Sequence, residues 1–296
     1  MRYSFMIQTS KILLVACFTS VIFLFVSCSS DESTSNFGQA LEELERSYGS
    51  DPLQTYDLYL PADRSSASTD VIIMIHGGGW TSGDKEDVFP IVELLQAVMP
   101  DFAIANINYR LNIDPDDPFG DHMADVRSVV DDLIDRHEEL GISTNIAMTG
   151  VSAGGHMALL YAYANNTNDY VKVVSNIIGP TFFLDPSYIN PSNPTWLATI
   201  AAISNFTGVP LSDEAYYGAL SPITFVDAST VPTIQFLGDE DPLIPTTQGT
   251  LLQSALDRVG VPNDLIIYEG EGHGWVEPEN WNDTAFRFRD FVAQHM

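Results

Sequence analysis

The sequence predicts an α/β protein with a mostly parallel central sheet flanked by helices. Three observations predict it: strand-like and helix-like segments alternate along most of the chain, one strand is a continuous apolar run, and a glycine-flanked serine sits where a strand turns into a helix. At 296 residues the chain suits one large α/β domain.

Q-T-Y-D-L-Y-L (54–60) alternates in polarity and stops at Pro61, as an early half-buried strand does. V-I-I-M-I (71–75) has no polar position, the pattern of a strand covered on both faces. Residues 88–98 have helical spacing, 102–108 read as strand, and 123–140 place apolar residues at intervals of three and four. The alternation then repeats: strand 145–149, helix 153–164, strand 171–178, strand 233–237, helix 247–259, strand 265–268 and a final helix over 282–295. Parallel strands need crossovers, and these helices supply them. Residues 180–221 break the rhythm, being rich in Pro, Asn and aromatic residues with short helices near 196–204 and 213–217. An insertion of this kind is expected to form a small lid and to set substrate preference.

At the N-terminus, Arg2 and Lys11 precede an apolar run over 12–26. That run is shorter than the about 20 residues a membrane span needs, and it suits a secretory signal. It ends F-V-S-C-S-S (25–30), which resembles a bacterial lipobox and makes Cys28 the expected lipidation site. The expected organisation is a lipoprotein signal peptide over 1–27, a polar tether over 28–50 and the α/β domain over 51–296. Such a protein is expected in the cell envelope, held by lipid to a Gram-negative outer membrane on its periplasmic or surface face. Cys17, the only other cysteine, lies in the signal, so the mature chain has no thiol pair to oxidise.

Forty acidic against twelve basic residues give a formal charge of −28. Nucleic acid and anionic headgroups are therefore excluded as partners, leaving membrane association to the lipid alone. The acidic surplus reads as a solvated coat.

Four motifs carry chemistry. T-G-V-S-A-G-G (149–155) contains G-x-S-x-G around Ser152, directly after an apolar strand and opening a helix. Small residues permit the sharp turn that exposes a nucleophile, and the N–H groups that follow point toward developing negative charge. H-G-G-G-W (76–80) follows the buried strand at 71–75, and its glycines let backbone donors approach a substrate oxygen. Gly78, Gly79, Trp80 and Ala153 are the candidate oxyanion donors, with His76 a structural support for the loop. A serine hydroxyl needs a base and the base an orienting acid, in the chain order Ser, Asp or Glu, His. L-G-D-E-D-P-L-I-P (237–245) and E-G-E-G-H-G-W (269–275) supply both after successive strands, on the carboxyl edge where open α/β sheets place their sites. His273 is the candidate base. Asp239, Glu240 and Asp241 compete as the acid, and spacing alone does not choose among them. His122, His137, His156 and His295 lie outside the expected loop and read as surface or structural. No histidine or cysteine spacing suggests a metal site, and D-P-D-D-P (114–118) reads as a solvated turn.

Y-D-L-Y-L-P (56–61), H-G-G-G-W followed by Gly83-Asp84-Lys85, N-Y-R-L (108–111), G-V-S-A-G-G-H (150–156) and the two C-terminal loops together resemble the α/β-hydrolases related to hormone-sensitive lipase. Within them the chain is most similar to the bacterial feruloyl and acetyl-xylan esterase group. The resemblance implies an α/β-hydrolase fold and cofactor-free hydrolysis of carboxylic esters through an acyl-serine. Ser152 is then nucleophile and His273 base. Asp241 becomes the acid, because D-P-L-I-P resembles the family's D-x-x-V/I-P pattern. The implied substrates are short-chain or feruloyl esters, as small molecules or polysaccharide side groups. Trp80, Trp196, Phe206, Tyr216, Tyr217 and Trp275 are candidates either for the pocket or for the core.

Kynurenine formamidases share the H-G-G-x-W loop and triad, so hydrolysis of a formyl amide is the competing enzymatic expectation. A dipeptidyl peptidase would need a β-propeller for which this length has no room. From another class comes a catalytically inactive hydrolase fold used for binding, against which stands the complete triad.

Overall fold

A strand that is apolar at every position has to be covered on both faces, which places it inside a sheet flanked by helices on each side. The computed structural model describes residues 37–111, 119–189 and 192–296. Contacts divide the chain into Met1–Ser35 and Asn36–Met296, and every element below belongs to the second unit. The expected signal peptide, Cys28 and the 114–118 turn lie outside the described residues.

Eight strands form one sheet: β1 (Leu41–Ser47), β2 (Thr55–Leu60), β3 (Val71–Ile75), β4 (Ala103–Ile107), β5 (Ile146–Val151), β6 (Val171–Ile177), β7 (Thr233–Gly238) and β8 (Asn263–Tyr268). Their spatial order is β1-β2-β4-β3-β5-β6-β7-β8. β2 runs antiparallel to β1 and β4, and all pairs from β4 to β8 are parallel. The helices are α1 (Phe89–Val98), α2 (Gly120–Asp135), α3 (His137–Leu140), α4 (Ala153–Leu160), α5 (Pro194–Thr207), α6 (Glu214–Ala219), α7 (Thr247–Val259) and α8 (Pro278–His295). Successive residues of a strand face opposite sides, and β3 divides accordingly. Val71, Ile73 and Ile75 join the core built with α2, α4 and α7, while Ile72 and Met74 join the one built with α1 and α8.

Two expectations need adjusting. The helix expected over 123–140 is two helices: Arg136 leaves helical geometry between them, and Gly141 closes the second in the left-handed region. Residues 41–47, expected in the tether, form the edge strand β1 instead. Its side chains are mostly charged and exposed, so no apolar alternation announces it. What holds it is remote in sequence: pairing to β2, Arg46 bonded to Asp132 of α2 at 2.9 Å, and the Glu45 N–H donating to Asp57 Oδ1 at 2.8 Å. Buried Lys85 completes the tie, bridging Asp57 at 3.0 Å and Glu45. Burial works to lower the Lys85 pKa, but these two carboxylates outweigh it and hold the ammonium above its usual range.

The insertion between β6 and β7 contains α5 and α6. Asn193 caps α5 by accepting from Thr195 and Trp196 N–H groups, and Pro194 opens its first turn.

Candidate active site

Ser152 stands at the carboxyl end of β5, where the chain turns into α4. It occupies a strained conformation, φ 56° and ψ −118°, that a non-glycine residue keeps only when its surroundings impose it. They do: its N–H donates to Ile177 O at 2.8 Å, and its carbonyl accepts from His156 N–H at 3.0 Å. α4 also packs too closely for any side chain at Gly154, where a Cβ would lie 2.1 Å from Ile75 O.

His273 Nε2 lies 2.8 Å from Ser152 Oγ, and His273 Nδ1 lies 2.8 Å from Asp241 Oδ2. Asp241 is 3% exposed, and its Oδ1 accepts from the N–H groups of Leu243 and Ile244 at 2.7 and 2.9 Å. Of the three competing acids only Asp241 reaches the imidazole. Asp239 accepts from Gly270 N–H at 2.7 Å, tying the two C-terminal loops together, and Glu240 is exposed.

One residue of this region escaped the sequence reading. Glu271 is 1% exposed and accepts from Val276 N–H, Glu277 N–H and Asn280 Nδ2 at 2.6, 3.0 and 2.7 Å. Burial alone would raise its pKa, but these three donors hold it below the ordinary glutamate value. The carboxylate thereby closes the loop that carries His273. Its partners follow His273 in the chain, so no local pattern before the loop closes marks it.

The glycine loop is held by its carbonyls. His76 Nδ1 donates to Gly77 O at 2.6 Å, and the Tyr109 hydroxyl donates to His76 O and Gly77 O at 3.2 and 3.3 Å. The two rings stack with centroids 4.3 Å apart. The C=O and N–H of a trans peptide point in opposite directions, so fixing Gly77 O directs the Gly78 N–H away from these rings. Burial lowers the His76 pKa, against the opposing pull of its bond to Gly77; the ring supports the loop, as expected. A Cβ at Gly77 would stand 3.3 Å from Ser152 Cβ, so Gly77, not singled out in the sequence, is the glycine of this loop that packs against the elbow. Among the described hydrogen bonds, none uses the N–H of Gly77, Gly78, Gly79 or Trp80.

Ser152, His273 and residues 77–80 all line one cavity of about 1360 Å³, above the about 300–1,000 Å³ common for small-molecule sites. One wall comes from α1, the His273 loop and the start of α8, through Ile91, Leu94, Trp275 and Trp281; the other comes from α5, through Ala198, Ala202 and Phe206. Among the described residues its walls hold no lysine or arginine, and Asp87 is their one carboxylate. Of the candidate aromatic residues, Trp80, Phe206 and Trp275 line it. Trp196 instead donates to Asp241 O at 3.1 Å, while Tyr216 and Tyr217 pack against the core. Among the described residues, no group of three or more His, Cys, Asp or Glu is placed to hold a metal ion.

A mostly parallel eight-stranded sheet, with a strained serine at the end of β5 and a histidine and aspartate on the following strand ends, defines the α/β-hydrolase fold. The chain belongs to the BD-FAE family, whose pattern matches residues 56–256. It is 25% identical over 265 residues to Esterase LipC of Mycobacterium tuberculosis, covering 83% of this chain and 64% of that one. It is 27% identical over 154 residues to Dipeptidyl peptidase family member 6 of Caenorhabditis elegans, covering 51% of this chain and 20% of the relative. The chain thus spans between a fifth and just under two thirds of these relatives' lengths. Among solved structures, a truncated carbohydrate esterase from gut microbiota matches with a TM-score of 0.69 at 20% identity, over 86% of this chain and 98% of that one.

Proposed function

We propose that this chain is a serine carboxylic-ester hydrolase. The observation that carries the reading is the hydrogen-bonded chain from Ser152 Oγ through His273 to Asp241, with both links at 2.8 Å. Ser152 Oγ attacks the ester carbonyl as its proton passes to His273 Nε2, and Asp241 Oδ2 stabilises the imidazolium through Nδ1–H. The oxyanion is received by N–H groups of Gly78, Gly79, Trp80 and Ala153. His273 returns the proton to the departing alcohol, leaving an acyl-serine, and then activates the water that releases the acid.

The cavity supports uncharged esters with a sizeable apolar acyl or alcohol part, because its walls hold no cation for a polyanion. Short-chain and feruloyl-type esters, free or on polysaccharide, are the proposed substrates. Membrane attachment through lipid on Cys28 belongs to the same proposal and rests on the N-terminal sequence alone.

The test is turnover of p-nitrophenyl acetate, butyrate and octanoate, methyl ferulate, acetylated xylan, N-formylkynurenine and a dipeptidyl p-nitroanilide, alongside fluorophosphonate labelling. Ester turnover with label on Ser152, and a loss of about four to six orders of magnitude in kcat for Ser152→Ala, is the expected result. Turnover of the formyl amide alone, or of the anilide alone, reassigns the enzyme. Absence of both labelling and turnover in folded protein points to a binding role.

A further inference from the structure

His156 stands in the first turn of α4, four residues after Ser152, and is fully buried. Its Nε2 lies 2.8 Å from Leu220 O, and its Nδ1 lies 3.3 Å from Trp80 Nε1. A carbonyl only accepts and an indole N–H only donates. The two bonds therefore require a neutral ring carrying its proton on Nε2. Burial, opposed by the bond to Leu220, lowers the pKa to about 4, so this tautomer is the one present near neutral pH. The rings of Phe119 and Phe183 pack within 5.1 Å of the imidazole. His122, which acts to lower the His156 pKa further, has its Nε2 3.2 Å from Trp80 O.

The two partners of His156 belong to different parts of the site. Trp80 ends the glycine loop and has φ 63°, a left-handed conformation that a bulky residue keeps only when its surroundings impose it. Leu220 follows α6 in the insertion, and the insertion also grips the acid loop through Trp196 Nε1–H and Asp241 O, at 3.1 Å. We propose that His156 is a positioning residue that couples the seating of the insertion to the aim of the oxyanion loop, acting through the Trp80 indole. It touches no substrate. The inference rests on Ser152 and the 77–80 loop being the esterase machinery.

Asn places an acceptor near the position of Nδ1 and Gln a donor near the position of Nε2, so two variants separate the two bonds. His156→Gln keeps the link to Leu220 and loses the acceptor for Trp80; His156→Asn does the reverse. Trp80→Phe removes the indole donor together with part of the ring while keeping the backbone N–H, and carries the test should His156→Gln not fold. Each is assayed on p-nitrophenyl acetate well below its Tm, with active sites counted by fluorophosphonate titration. Removing an oxyanion donor costs about 10²–10³ in kcat, and misaiming one costs less. The expected result is a fall of about 10- to 100-fold in kcat for His156→Gln and Trp80→Phe, with KM within about twofold and no further loss in the double variant. His156→Asn loses kcat as well, through the freed insertion. Lowered Tm with unchanged kcat per titrated site overturns the proposal, as does full additivity in the double variant. A wild-type chain that neither labels nor turns over ester overturns the esterase reading, and the positioning role with it.

Discussion

Asp239 and Asp241 are two positions apart in one acidic turn, yet their expected contributions differ by orders of magnitude. Asp241→Asn leaves the shape intact but removes the carboxylate that selects the His273 tautomer, and kcat is expected to fall about 10⁴-fold. Asp239→Asn disturbs one bond to Gly270 N–H and is expected to stay within about tenfold of wild type. Steady-state kinetics of the pair checks the assignment. His156 makes a second residue-scale prediction, for stability. Its pKa moves from 6.5 in the unfolded chain to about 4 when buried, so between these values the unfolded state binds a proton that the folded state refuses. Stability is complete above about pH 6.5 and declines as pH falls toward 4, by up to about 3 kcal/mol from this ring. Urea unfolding at several pH values should show a shallower acid decline for His156→Gln than for wild type. Ser152 and His273 were legible because strand–turn–helix spacing and glycine flanks are local signals. The contacts of His122 and His156 to Trp80 were not, because partners more than forty positions away create them.

At the scale of elements, α5 decides how much of the cavity is open. It presents Ala198 and Ala202 to the space beside Ser152, and small residues there leave room for a long acyl or bulky alcohol group. Ala198→Trp is expected to lower kcat/KM for p-nitrophenyl octanoate by at least about tenfold relative to the acetate, with labelling of Ser152 retained. Equal losses on both esters would place chain-length selection elsewhere. The existence of α5 was legible as the short helix expected near 196–204, but its position over the site was not, since helical periodicity says nothing about what a helix covers. β1 is the opposite case: pairing and ion pairs to Asp132 and Lys85 form a strand from residues that alternate in nothing.

For the whole molecule, the acidic surplus and the apolar cavity act in the same direction. A formal charge of −28 repels polyanions, and among the described residues the cavity walls carry no lysine or arginine to pair with one. No helix among the described residues is long and apolar enough to cross a membrane, and the proposed attachment is through lipid on Cys28. Cys28→Ala is expected to abolish metabolic labelling with palmitate and to move the protein out of the detergent-soluble membrane fraction; unchanged labelling would discard the anchor. By itself, the sequence determined the alternation of buried strands and amphipathic helices, the elbow at Ser152 and the loop of His273, all of which depend on neighbouring residues. The tertiary structure alone decided that Glu271 braces the loop of His273, that residues 41–47 join the sheet, and that buried His156 bonds both Trp80 and Leu220. Each of these depends on distances between segments far apart in the chain, and such distances are set only when the two cores close around the sheet.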